Sequence, residues 1–163
     1  MALNQAVVSD STTLISLLNI NRFDLLFKFS KAIIISQAVY TEVSYQNHAK
    51  QVLDGFIKDK RVIVKSVEDD KKLSQLLIRL DLGESESILL AKKENLPLII
   101  DEKKGRSIVA EFGLKIIGLI GILLVFKKSG QLSNDEITDI VNDLRKVEFR
   151  VSDSLLEFLL DSC

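Results

Sequence analysis

Residues 80–106 read LDLGESESILLAKKENLPLIIDEKKGR, and the order of residue types in this stretch decides the fold. A polar, glycine-marked start at Asp81 and Gly83 leads into a helical run of apolar residues. The only proline, Pro97, then opens a short apolar strand, Leu98 to Ile100, which stops at Asp101. The stretch is a helix followed by a strand, with a carboxylate at each end. Glu84 falls in the first turn of the helix, with Ile88 and Ala91 at i+4 and i+7. It is therefore expected on the inward face, and Glu86 on the other side. Asp101 follows a buried strand directly, at the strand end where open α/β sheets carry their ligands.

The same alternation extends in both directions. Upstream, Ala6 to Val8 form an apolar strand that stops at Ser9 and Asp10, and Ser11 to Thr13 make a polar turn into a helix carrying Leu14, Ile15, Leu17 and Leu18. A helical pattern over 23–29 leads to a strand over 32–35. Ser36 and Gln37 then open a helix containing Val39, Tyr40, Glu42 and Val43. Helical side chains lean toward the N-terminus, so Glu42 is expected to point back toward the strand end it follows. Residues 51–59 read as a helix and Val62 to Val64 as a brief strand. A helix over 69–80 follows, with Leu73, Leu76, Leu77 and Leu80 on one face. Downstream come a helix over 103–112, a strand at Ile116 and Ile117, a helix over 119–128, and a helix from Ser133 with Ile137, Ile140, Val141 and Leu144 in register. A short amphipathic helix over 152–160 closes the pattern. Short strands apolar on both faces, alternating with helices, predict an α/β fold with a parallel sheet covered on both sides. Right-handed crossovers put the carboxyl ends of such strands on one edge, so Asp10 and Asp101 converge.

Composition bounds the reading. With 163 residues, 47% of them hydrophobic, the chain suits a single domain spanning 1–163. Its 22 basic and 23 acidic residues give a net charge of −1, which excludes a general positive field for nucleic acid. Any such binding must be local. The basic residues fall in two groups, Lys58, Lys60, Arg61 and Lys65, and then Lys103, Lys104 and Arg106 beside Asp101. A solvated surface is the plain account of the first. One cysteine, Cys163, excludes an intrachain disulfide and a cysteine-based zinc site. The lone histidine, His48, stands in a polar segment without a second histidine to share a metal. No secretion signal is evident at the start, and the longest apolar run, Ile116 to Phe126, is broken by Gly118 and Gly121 and too short to span a membrane. A cytoplasmic protein without membrane contact is expected.

Four acids, Asp10, Glu42, Glu84 and Asp101, are thus directed toward one sheet edge. Like charges gathered within about 4–6 Å are unfavourable unless something cancels them. Oxygen-only donors point to Mg²⁺ or Mn²⁺ rather than zinc. A pair of such ions about 3.5–4 Å apart would suit in-line phosphoryl chemistry. Each acid also has an ordinary role: Asp10 and Asp101 as helix caps, Asp81-x-x-Glu84 as a variant capping box, and Glu42 as a surface residue. A phosphoacceptor receiver domain needs an acidic pair at the first strand end, where Ser9 precedes Asp10. The D-x-D of haloacid-dehalogenase-like phosphatases is absent because position 12 is Thr.

The segments VVSDSTTLI, AVYTEV, LGESESILLA and LIIDEKKGR, in this order over most of the chain, resemble those of the PIN-domain family. The resemblance is to a prokaryotic subgroup in which LDxGE precedes D-D/E-x-x-G-R. It implies a Rossmann-like three-layer α/β/α sandwich with a central parallel sheet, and a metal-dependent ribonuclease. Many such proteins are dimeric toxins of type II toxin-antitoxin pairs, so an RNA substrate, an antitoxin protein and a homodimer are the expected partners. By position the family's four catalytic and metal-holding acids correspond to Asp10, Glu42, Glu84 and Asp101, with the Glu84-to-Ala91 spacing selecting Glu84 over Glu86. Ser11 matches a polar position beside the first acid, and Lys103, Lys104 and Arg106 are placed to hold RNA phosphates. One departure is Ile99, where many members have Thr, and the resemblance leaves open whether Glu102 joins the acids and how many ions bind. The alternative is a non-cleaving nucleic-acid-binding or regulatory module on the same fold.

Overall fold

The computed structural model describes residues 5–68 and 70–162, without the side chain of Glu102. Five parallel strands form the centre: β1 (Val7–Ser9), β2 (Ile33–Ser36), β3 (Val62–Lys65), β4 (Leu98–Ile99) and β5 (Ile116–Ile117), in the order β3-β2-β1-β4-β5. Val8 pairs with Ile34 on one side and Leu98 on the other, so β1 is the middle strand. The chain builds outward from β1 to β3, then returns to place β4 against β1's free edge. The junction of β1 and β4 is therefore the point where strand order reverses, the place at which open parallel sheets form a crevice.

Ten helices surround the sheet among the described residues: α1 (Ser11–Asn19), α2 (Asp24–Phe29), α3 (Gln37–Val43), α4 (Asn47–Lys58), α5 (Lys71–Leu76), α6 (Leu82–Glu94), α7 (Glu102–Phe112), α8 (Leu119–Lys128), α9 (Asn134–Lys146) and α10 (Asp153–Asp161). Alternate strand residues feed two separate cores, as the two-residue repeat of a strand requires. Val7, Ile33, Ile35 and Ile99 pack with Leu14, Leu17, Leu123, Phe126, Ile137 and Val141 on one face. Val8, Ile34, Leu98 and Ile100 pack with Leu76, Ile88, Leu90 and Ile108 on the other. Helix, sheet and helix are the three layers expected. Among the described residues no helix is long and apolar enough to cross a membrane.

Several helices begin where their capping residues dictate. Asp10 accepts from the Thr13 N–H, Ser36 from that of Val39, and Ser133 from that of Glu136. α4 starts at Asn47, four residues before the expected 51, which puts His48 on a helix rather than in an irregular polar segment. α5 is shorter than the expected 69–80. Asp70 caps it through the Lys72 and Leu73 N–H groups, and it ends at Leu76; Leu77, 42% exposed, turns outward instead of joining the apolar face. The expected start at Asp69 lies outside the described residues, as does Cys163.

Of the first basic group, Lys58, Lys60 and Arg61 are exposed, as a solvated surface requires, and two members have partners. The Arg61 guanidinium lies 3.8 Å from the centre of the Phe27 ring, which itself packs edge-on to Phe56. Lys65 pairs with Glu94 at 2.8 Å. α6 departs most from expectation. Nearly every residue from Gly83 to Ala91 is buried, Glu86 included, because the sheet, α3 and α5 enclose the helix from several sides. Its inward face cannot be read from periodicity, since it has no outward one over those turns.

Candidate functional site

The carboxyl ends of β1 and β4 deliver Asp10 and Asp101 side by side. The Asp10 N–H donates to the Ile99 carbonyl at 3.0 Å, fixing the two strand ends together. Both acids are also caps: Asp10 heads α1, and Asp101 heads α7 by accepting from the Lys103 N–H at 2.8 Å. Their environments differ. Asp10 is 3% exposed, whereas Asp101 faces solvent. Burial raises the Asp10 carboxyl to about 7; the Thr13 hydrogen bond opposes this, and the neighbouring charges of Glu84 and Asp101 add to it.

Glu84 enters from the first turn of α6, which the Asp81 side chain caps through the Glu84 N–H at 2.8 Å. Its own side chain makes no return bond to Asp81. Instead Oε1 accepts from Lys104 Nζ at 2.8 Å, and Oε2 is buried without a hydrogen-bond partner. Burial raises the Glu84 carboxyl, the adjacent Asp81 adds to the rise, and Lys104 opposes it. An acceptor left unsatisfied in this way normally costs about 1–3 kcal/mol, and more when charged. Glu86 is occupied elsewhere: its Oε1 accepts from the Ala38 N–H at the start of α3.

Glu42 reaches the group from α3. Its Oε2 accepts from the Ser11 hydroxyl at 2.5 Å, which ties α3 to the start of α1. Its Oε1 lies well inside contact distance of where a β-carbon on residue 83 would be, so the glycine at position 83 leaves room for the Glu42 carboxylate to sit against α6. The glycine of the second motif has a parallel role. A β-carbon at Gly105 would collide with Ile116 and crowd Ile100, so the glycine lets α7 lie against β5 and the end of β4.

The four expected acids thus come to one edge of the sheet, but they are not drawn into one tight set. Among the described residues, no group of three acids stands close enough to hold an ion as placed. Lys104 sits on Glu84, and the caps hold one oxygen each of Asp10 and Asp101. The Glu102 side chain lies outside the described residues. What the donors fit is a hard divalent cation: they are carboxylates only, one has an orphaned buried oxygen, and another has its carboxyl pushed up to about 7 by burial beside like charges. Ile99, in place of the more usual Thr, is wholly buried and contributes no oxygen.

The cationic residues separate by role. Lys104 is bonded to Glu84, while Lys103 and Arg106 line a cavity of about 560 Å³ that opens from Asp10 and Asp101. Arg150 and Phe149, from the connection between α9 and α10, line the same cavity. Sequence reading did not find these two. They lie almost fifty residues beyond Asp101, and no local pattern links them to it.

Comparison with known proteins gives one decisive match. A family model described as a PIN domain matches residues 6–163. A solved structure, a PilT N-terminus domain protein from the hyperthermophilic archaeon Sulfolobus solfataricus P2, is similar at 22% identity and a TM-score of 0.46, over 72% of this chain and 88% of that one. No curated protein matches.

Proposed function

Because the chain belongs to the PIN-domain family, we propose that it is a Mg²⁺- or Mn²⁺-dependent endoribonuclease that hydrolyses RNA phosphodiester bonds. The observation that carries this reading is the unsatisfied, buried Oε2 of Glu84 beside an Asp10 whose carboxyl is pushed up to about 7. A bound cation would relieve both. Asp10, Glu42, Glu84 and Asp101 are the residues that would hold it. When bound, the ion supplies an activated water and offsets charge on the scissile phosphate. Ser11 orients Glu42, Gly83 admits it, and Lys104 partly neutralises Glu84 in the ion's absence. Lys103 and Arg106 contact the phosphates of the bound strand.

Family membership also supports the role of a type II toxin held by an antitoxin and working as a homodimer. Tyr45 and Leu82, 82% and 46% exposed, border one depression beside Glu42, and Ile78 is 83% exposed; these are apolar surfaces such contacts would cover. The test of activity is direct. Purified protein should cleave single-stranded or structured RNA with Mg²⁺ or Mn²⁺ and stop with EDTA, and Asp10→Asn should abolish cleavage with the fold intact. RNA binding without cleavage in either metal would favour a non-cleaving module instead.

A further inference from the structure

We propose that the cavity between α7, the start of α8 and the α9–α10 connection binds one nucleotide of the RNA strand adjacent to the scissile bond. Arg150 would contact its phosphate and Phe149 its base. The inference rests on the ribonuclease reading and adds a substrate subsite to it.

The cavity's size and lining carry the argument. About 560 Å³ is room for a nucleotide, since small-molecule sites run from roughly 300 to 1,000 Å³. Its lining is acidic at Asp10 and Asp101, and that part cannot take a phosphate without an intervening cation. It is basic at Lys103, Arg106 and Arg150, all three exposed. Lys104, Arg79 and Arg145 are each paired with a carboxylate. By contrast, the cationic groups of Lys103, Arg106 and Arg150 have no ion-pair or hydrogen-bond partner among the described residues. Three free cations around one opening fit an anion. The lining also carries apolar surface from Leu119, Leu155 and the half-buried Phe149. A phosphate joined to a flat, weakly polar ring satisfies both halves.

The segment that bears Arg150 and Phe149 is held in place before any ligand arrives. The chain turns at Glu148 with φ of 66°, the Phe149 N–H donates to the Leu144 carbonyl, and the Arg145 side chain donates to the Val151 carbonyl at 3.0 Å. The subsite is thus preformed, which lowers the ordering cost of binding.

Fluorescence anisotropy with a labelled single-stranded oligoribonucleotide, in EDTA so that no cleavage occurs, tests this. Arg150→Glu should weaken binding more than tenfold and reduce the slope of log K against log salt by about 0.7 for the lost phosphate contact. Phe149→Leu keeps an apolar side chain but removes the ring; it should weaken binding about tenfold and leave the slope unchanged. Thermal melts of both variants check folding. Wild-type affinity in both folded variants, or no RNA binding by the wild-type protein, overturns the subsite even if RNA is cleaved with metal. The expected losses without cleavage in any metal uphold the subsite and overturn the nuclease reading.

Discussion

Two helices of 13 residues start with the same signature and put it to different uses. At α9, Ser133 accepts from the Glu136 N–H and the Glu136 carboxylate returns to the Ser133 N–H at 2.8 Å, closing a capping box on the surface. At α6, Asp81 accepts from the Glu84 N–H, but Glu84 does not return; it is buried, bonded to Lys104 on one oxygen and unpartnered on the other. The electrostatics diverge accordingly. The Ser133 backbone holds the Glu136 carboxyl below its ordinary range, whereas burial pushes that of Glu84 up. A helix-start glutamate that is buried and leaves its box open, at the sheet edge where strand order reverses, has been placed for something other than capping.

The largest effect that could break this contrast is in the pH dependence of stability without metal. Asp10, facing Glu84 and Asp101, rises from 3.8 to about 7 in the folded state. Between about pH 4 and 7 the unfolded chain therefore binds fewer protons at this site than the folded one, and stability falls as pH rises. The change amounts to roughly 4 kcal/mol over the window. Asp10→Asn should flatten it in chemical denaturation across that range. The α9 box has the opposite sign. The lowered Glu136 carboxyl contributes stability above its unfolded pKa, which is lost as pH falls through the folded value.

Much of this division was legible in the sequence. Asp10, Ser36, Asp81 and Ser133 cap the helices they were expected to open, and the abrupt strand ends placed Asp10 and Asp101 on one edge. What failed depended on tertiary packing. α6 has no solvent face over its middle turns, so the direction of Glu86 could not be inferred from spacing. Lys104 reads like its neighbours Lys103 and Arg106, yet one helical turn of α7 separates a cation on Glu84 from two lining the cavity. Arg61 is surface charge as expected, but its guanidinium also covers Phe27, which no local pattern shows.

Smaller effects sharpen the comparison within the α6 site. Gly83→Ala gives a better helix former but places a β-carbon against the Glu42 carboxylate, a mobile side-chain end. The net change in stability should be within about 1 kcal/mol, while the stabilisation gained from Mg²⁺ falls because Glu42 leaves Ser11. A metal response equal to wild type would separate Glu42 from the ion site. Lys104→Ala removes a half-exposed partner of Glu84. It leaves the buried Glu84 carboxylate without a partner on either oxygen, so it should cost about 1–3 kcal/mol in metal-free melts and enlarge the Mg²⁺-induced shift, since no ammonium then competes for Glu84. A reduced shift would contradict that role.

The central claim is that Glu84 belongs to a cation site and Glu136 does not, although both open a helix in the same way. Thermal melts of wild type, Glu84→Gln and Glu136→Gln, each with and without Mg²⁺, test it directly. Glutamine can keep the α9 capping box closed, and at position 84, where no box closes, it removes a buried charge together with its Lys104 ion pair, so both variants should stay folded without metal. Mg²⁺ should stabilise wild type and Glu136→Gln alike, by about 1.4 kcal/mol for each tenfold excess over Kd, and Glu84→Gln distinctly less. Equal Mg²⁺-induced shifts in all three proteins would make Glu84 a cap and contradict the four-acid site.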